Sequence, residues 1–208
     1  LLERLGIEFQ VLDEEPDTGQ LAHFLGFTRE ARTQAEAFAR CIAARHPTPL
    51  VVCCADDLRM IIKEYPRLGV AVESPMIQSL PEFLGEALRE RQPSFSAWNA
   101  GPVTYHDACG LGREARVFEA PRELIRMIPG LELREMAYTR DQAPCCGNGM
   151  GLAIVHPEIT RLMAHRLISM ARDTGARALV LGCPTCVLVL KAALEGAPDQ
   201  SLGGIELL

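Results

Sequence analysis

The sequence has one tryptophan in 208 residues, only 5% aromatics, and fewer basic than acidic side chains, 21 Lys and Arg against 27 Asp and Glu. The resulting net charge of −6 argues against nucleic acid as a partner, because phosphate backbones are bound by a surplus of Lys and Arg. No apolar run approaches the roughly 20 residues a membrane-spanning helix needs, so no transmembrane segment is expected. No signal-peptide pattern opens the chain, which makes a reducing, cytoplasmic compartment the expectation. An initiating methionine is also missing: the chain starts at Leu1 and reads as a fragment or trimmed protein with something upstream. What is present is globular material, 48% hydrophobic, enough for one ordinary domain or two small ones and incompatible with disorder. Against that background stand 8 cysteines. In a reducing compartment, clustered cysteines bind metal or do redox work more often than they form disulfides.

Periodicity divides the chain into alternating short strands and helices. In the first half, Ile7–Leu12, Leu50–Cys54 and Val70–Val72 read as strands. Ala31–Arg45, Asp57–Glu64 and Pro81–Arg91 read as helices, the second of them ending before Pro66. Gln92–Gly101 breaks both periods and reads as a connector. In the second half, Val103–His106, Leu131–Met136 and Ala178–Leu181 read as strands, and Pro121–Ile128, Pro157–Thr174 and Thr185–Leu194 as helices. The long helix is expected to bury Leu162, Met163, Leu167, Ile168 and Ala171. Such alternation predicts an α/β fold with parallel strands and helical crossovers.

The two halves also resemble each other. Gly6-Ile7-Glu8-Phe9 aligns with Gly130-Leu131-Glu132-Leu133, and Pro49 to Cys54 aligns with Ala178 to Cys183. Asp17-Thr18-Gly19 falls where Cys145-Cys146-Gly147 stands, and Asp57 falls opposite Cys186. Two unequal pseudo-repeats are expected, 1–96 degenerate and N-terminally incomplete, 97–208 complete. The first copy's counterpart of Cys109 would lie before Leu1, and Cys54 reads as the remnant of a second centre.

Five cysteines concentrate in the second copy: Cys109 at a strand end, the neighbours Cys145 and Cys146, and Cys183 with Cys186 as CxxC. About one strand-helix-strand unit separates each group from the next, so each should emerge at the carboxyl edge of the sheet, where such folds place ligands. Cys183-Pro184-Thr185-Cys186 runs from strand into helix, so N–H groups of a helix start favour thiolates there. Adjacent side chains diverge, so aiming Cys145 and Cys146 at one point requires an unusual turn, which Gly147, Gly149 and Gly151 permit. A four-thiolate zinc site competes but leaves one cysteine over. A metal-free CxxC dithiol explains two of the five.

These residues resemble a known family. Thr104 to Cys109, Leu111-Gly112-Arg113, Ala120 to Leu124, Ile128-Pro129-Gly130, Cys145-Cys146-Gly147 and Cys183 to Cys186 are similar to the cysteine-rich CCG domain. That domain occurs in heterodisulfide reductase subunits and in the iron–sulfur subunits of glycolate oxidase and lactate-utilisation systems. The resemblance implies one non-cubane 4Fe–4S centre ligated by Cys109, Cys145, Cys146, Cys183 and Cys186, with Gly147 shaping the turn. It also implies an oxidoreductase subunit that cleaves a disulfide-type substrate or passes electrons between a ferredoxin-like or flavin subunit and a quinone or carrier. Its place would be the cytoplasm or the cytoplasmic face of a membrane complex. A zinc-bearing assembly module is the alternative, since some CCG domains are thought to hold zinc. The chain reads Ala108-Cys109-Gly110 where members of the glycolate and lactate branch and the membrane-type heterodisulfide reductases usually read Pro, Cys, His, which removes a hydrogen-bond donor or proton source beside the centre.

Among the other candidates, His106 stands three residues before Cys109 and is the candidate catalytic residue, a proton or hydrogen-bond donor to the centre. His156 reads as a cap or surface group and His165 as structural. Cys41 and Cys53 read as core packing and Asp57 as a helix cap; Asp56 and Asp57 beside Cys54 could form a vestigial metal site, but solvated acids are the better reading. Gly147-Asn148-Gly149 is too short for a dinucleotide loop.

Overall fold

The computed structural model describes residues 1–12, 14–45, 49–195 and 205–208. Helices α1 (Gln20–Phe24) and α2 (Thr28–Ala43) lead into strand β1 (Leu50–Val52) and helix α3 (Ala55–Arg59). The chain then widens into a π turn, Met60–Glu64, before α4 (Tyr65–Leu68), β2 (Ile77–Ser79) and α5 (Leu80–Arg91). In the second half come β3 (Val103–His106), a second π turn (Gly110–Glu114), α6 (Glu119–Arg126), α7 (Leu152–Val155) and α8 (Pro157–Asp173). Strand β4 (Ala178–Leu181), α9 (Pro184–Glu195) and β5 (Glu206–Leu207) complete the described order.

Among the described residues all strand pairing is parallel, in two small sheets, β1-β2 and β3-β4-β5. Each fold unit is therefore a strand followed by a helical crossover, as the α/β reading expected. Alternation along β3 sends Val103 and Tyr105 to one face, where they pack with Ile125 of α6 and with Ala178. The other face of the second sheet meets α8 and α9: Leu179 joins Leu167, Ile168 and Leu190 in the main core. That core is continuous with Phe38, Val52, Leu58 and Tyr65 from the first half. Helix α2 buries Ala31, Ala35, Phe38 and Ile42, one helical stripe. Helix α5 starts on a capping box, in which the Glu82 N–H donates to Ser79 Oγ and the Ser79 N–H to Glu82 Oε2.

Several expectations are corrected. Ile7–Leu12 is not a strand, and Val11 is 74% exposed. Its counterpart in the second half, Leu131–Met136, is reduced to one parallel bridge from Leu133 to Val103, and no strand equivalent to β3 lies beside Ile7–Leu12 among the described residues. Val70–Val72 is irregular, and the pairing strand is Ile77–Ser79 instead. The helix does not stop before Pro66. The π turn lets Pro66 fall in the first turn of α4, where a missing N–H costs nothing. In α8 the buried stripe is Thr160, Ala164, Leu167, Ile168 and Ala171, while Leu162 is 69% exposed.

The two halves share one backbone detail. Gly19 (φ +83°) and Gly147 (φ +111°) each tuck against the fourth residue of the following long helix. A Cβ on Gly19 would sit 2.4 Å from the Ala31 carbonyl oxygen, and one on Gly147 2.6 Å from that of Thr160. Gly19→Ala is therefore expected to lower the unfolding free energy by at least about 1–3 kcal/mol in urea titration. Gly6→Ala, at φ +64° with open space around it, should lose less.

Candidate metal centre

The parallel register of β3 and β4 sets His106 opposite Leu181, so the residues that follow leave the sheet at one edge. Cys109 leads into the π turn Gly110–Glu114, and Cys183 immediately precedes Pro184 at the start of α9. The Cys145-Cys146 pair arrives from a loop that Thr160 of α8 holds by donating its hydroxyl to the Gly147 carbonyl, 2.8 Å. The turn at Gly147 also lets its own N–H donate to Cys145 Sγ at 3.4 Å.

The structure brings all five cysteines into one hydrogen-bonded cluster. Cys109 and Cys146 both contact Cys145, Cys146 contacts Cys186, and Cys186 contacts Cys183. The thiol of Cys54 extends the cluster by contacting Cys183. Expected as the remnant of a separate centre, Cys54 instead lies against this group of thiols.

Charge along the cluster alternates for a physical reason. Thiol donors from Cys109 and Cys146, then the N–H groups of Gly147 and Gly149, hold Cys145 far below the ordinary thiol range. Cys183 falls likewise, through thiol donors from Cys186 and Cys54 and the N–H groups of Cys186 and Thr185 at the start of α9. The donors themselves, Cys109, Cys146, Cys186 and Cys54, are pushed up. Two separated thiolates avoid the repulsion that adjacent ones would meet. Soft, converging sulfur donors of this kind suit iron–sulfur clusters or zinc.

His106 is fully buried, and neither ring nitrogen has a partner in the protein. Burial draws its pKa down to about 4, against the pull of the Cys145 and Cys183 charges, so the ring is neutral at pH 7. Tyr105 Oη is likewise buried without a partner. A Cβ on Gly182, next to Cys183, would lie 3.0 Å from that oxygen. Unpaired buried polar atoms are costly and call for an explanation. A bound group presenting acceptors here would supply one.

Sequence reasoning missed the framework behind Cys109. Arg122, fully buried, grips both oxygens of Asp107 at 2.7 Å and both oxygens of Glu135 at 2.7 and 3.0 Å. Asp107 also accepts the Arg140 N–H at 2.7 Å, tying the end of β3 to the segment that leads to Cys145. Asp107 and Arg122 both stand within the motifs that carry the family resemblance, but nothing in the sequence shows that they pair.

Asp56 is no freely solvated acid: it is half-buried and accepts a hydrogen bond from Thr185. Burial, then the Cys183 charge, raises its pKa to about 6. Asp57 is no helix cap: it lies inside α3 and accepts the Thr18 hydroxyl at 2.5 Å. Cys53 turns to solvent after β1 ends at Val52, and Cys41 is half-buried beneath Arg45 rather than in the core. His156 lies exposed at the start of α8 beside Glu158, 3.3 Å away. Gly110 has no room for a side chain, because a Cβ would lie 2.5 Å from the Ala55 carbonyl oxygen. The first turn of α3 fills that space.

Comparison with known proteins places the second half of the chain in a family. The CCG family model, described as a cysteine-rich domain, matches residues 103–191. The chain is 33% identical over 196 residues to a subunit of the dihydromethanophenazine:CoB–CoM heterodisulfide reductase of Methanosarcina acetivorans, covering 89% of this chain and 46% of that protein. It is 28% identical over 196 residues to the probable iron-sulfur-binding oxidoreductase FadF of Bacillus subtilis, covering 91% of this chain and 27% of that protein. Lactate utilization protein A of Oceanobacillus iheyensis is 28% identical over 197 residues, covering 90% and 78%. The chain thus spans less than half the length of the first two relatives.

The two depressed thiols give a pH signature. In the reduced, metal-free chain, thiolate ultraviolet absorbance equal to about two groups should persist as pH falls from about 8 to 5, where ordinary thiols are protonated. Cys183→Ser should remove one of the two.

Proposed function

Residues 103–191 belong to the cysteine-rich CCG domain family, and on that footing we propose that the chain is the iron–sulfur part of a heterodisulfide-reductase-like oxidoreductase complex. Cys109, Cys145, Cys146, Cys183 and Cys186 hold one non-cubane 4Fe–4S centre, and Gly147 gives the vicinal pair its turn. The observation that carries this reading is that all five thiols, brought from three separate strand-edge and loop segments, join one continuous chain of contacts. Relatives named as an iron-sulfur-binding oxidoreductase and a heterodisulfide reductase subunit support it.

The residues present fit such a group. A tetrahedral zinc ion takes four thiolates and strands the fifth, whereas a polynuclear iron centre uses all five. One ring N–H of His106 and the Tyr105 hydroxyl, unpartnered in the protein, would then have sulfur acceptors. When bound, the centre supplies one-electron transfer. The chain's own residues do the rest. The start of α9 aims N–H groups at Cys183, the Gly147 turn aims them at Cys145, and the buried surroundings exclude water. His106, neutral and buried, donates one N–H toward the centre and is the group placed to hold a proton there.

The first half, 1–96, acts as the scaffold that closes the site through α3, and the complete copy, 97–208, carries the centre. The partners are a ferredoxin-like or flavin subunit on one side and a disulfide-type, hydroxy-acid-derived or quinone acceptor or donor on the other. No described helix is long and apolar enough to cross a membrane, and the complex works in the cytoplasm or at its membrane face.

Anaerobic purification with iron, acid-labile sulfide and zinc analysis tests the reading. Iron and sulfide in roughly equal amounts, lost in Cys146→Ser, are expected. Near-stoichiometric zinc without labile sulfide would sink it in favour of a zinc-bearing assembly module.

A further inference from the structure

The sixth sulfur of the cluster comes from the other half of the chain. Cys54 is the residue before α3, as Cys183 is the residue before α9, and each sulfur accepts an N–H from the third residue of its helix, Asp57 or Cys186. The close approach of Gly110, in the turn after Cys109, to Ala55 sets the start of α3 at the sheet edge that also carries Cys183. As a result, Cys54 Sγ, Cys183 Sγ and a carboxylate oxygen of Asp56 all lie within 4.8 Å of one another. Asp56 and Cys183 line the same cleft, together with Thr185, whose hydroxyl steadies the carboxylate.

We propose that Cys54, Asp56 and Cys183 form a second metal subsite that binds one divalent ion of the zinc or ferrous type, with its fourth position open to the cleft. Two thiolates and one carboxylate are a borderline-soft donor set, suited to zinc or ferrous iron rather than to magnesium or calcium. A tetrahedral ion with bonds of about 2.0–2.3 Å holds its ligand atoms roughly 3.3–3.8 Å apart, so closure from the observed spacing takes small side-chain movements. Three protein ligands leave one coordination position vacant, the arrangement of sites that bind an exchangeable small ligand instead of serving as closed structural knots. Cys183 is shared with the five-cysteine set, and a thiolate sulfur has the lone pairs to bridge two metal ions. Cys54 and Asp56 lie outside that set, so the subsite and the iron–sulfur reading stand or fall separately.

The full chain, purified anaerobically and stripped of metal, is titrated with cobalt(II), following the sulfur-to-cobalt charge-transfer band. In parallel, the same proteins are reconstituted with iron and sulfide and analysed for both. Cys54→Ser and Asp56→Asn should each bind one cobalt fewer than wild type, or bind it at least about tenfold more weakly, while keeping wild-type iron and labile sulfide. Cys109→Ser should lose labile sulfide and keep the cobalt that Cys54→Ser loses. Unchanged cobalt binding in both Cys54→Ser and Asp56→Asn would overturn the subsite. So would loss of labile sulfide in Cys54→Ser, which would make Cys54 a ligand of the cluster itself. Full labile sulfide in Cys109→Ser would count against the five-cysteine centre alone.

Discussion

The parallel register of β3 with β4 is the constraint on which the rest of the structure depends. Because His106 and Leu181 end their strands side by side, Cys109 and Cys183 start from one edge, and only the Cys145-Cys146 loop has to be brought to them. Thr160 and the left-handed turn at Gly147 bring it. A shift of one residue in that register would turn every side chain of β3 to the opposite face, moving His106 away from the thiols. Behind the edge, Arg122 and Asp107 lock the strand end to the segment approaching Cys145. Removing either partner of such a buried pair strands the other charge and typically costs about 3–5 kcal/mol. The geometry of the site is therefore built into the scaffold before any metal arrives.

Electrostatics explain why a metal is wanted there. Six sulfur atoms linked in one chain of contacts cannot all ionise without a cation, and the alternation of two thiolates with protonated donors is how the metal-free cluster limits repulsion. A cation reverses the balance by displacing the remaining thiol protons. The first half shows the same geometry with other atoms. Where Cys146 meets Cys186, its aligned counterparts are Thr18 and Asp57, joined by a 2.5 Å hydrogen bond. Oxygen replaces sulfur there, the pair satisfies itself, and the position loses its affinity for a thiophilic ion.

Long, periodic elements were legible in the sequence: α2, α5, α8, β3 and β4 lie within a few residues of where pattern and capping put them. Short pairings were not. Strands β2 and β5 have three and two residues, too few for a period, while the apolar Ile7–Leu12 segment lacks a neighbour to pair with among the described residues. The π turn before Pro66 was invisible because proline signals a stop without saying how the backbone can accommodate it. In the site, local spacing exposed the five cysteines and the glycine turn. Cys54 and Asp56 read at most as a vestigial site of their own, because they reach the cluster across the two halves. The repeat alignment paired Cys54 with Cys183 as equivalents, and the fold makes them neighbours as well.

Convergence of the five thiols on one polynuclear iron centre is tested most directly by an anaerobic crystal structure with anomalous data at the iron and zinc edges. Anomalous iron density spread over several atoms and bonded to Cys109, Cys145, Cys146, Cys183 and Cys186 is the predicted result. A single peak at the zinc edge, held by four of those sulfurs with the fifth standing apart, would contradict it.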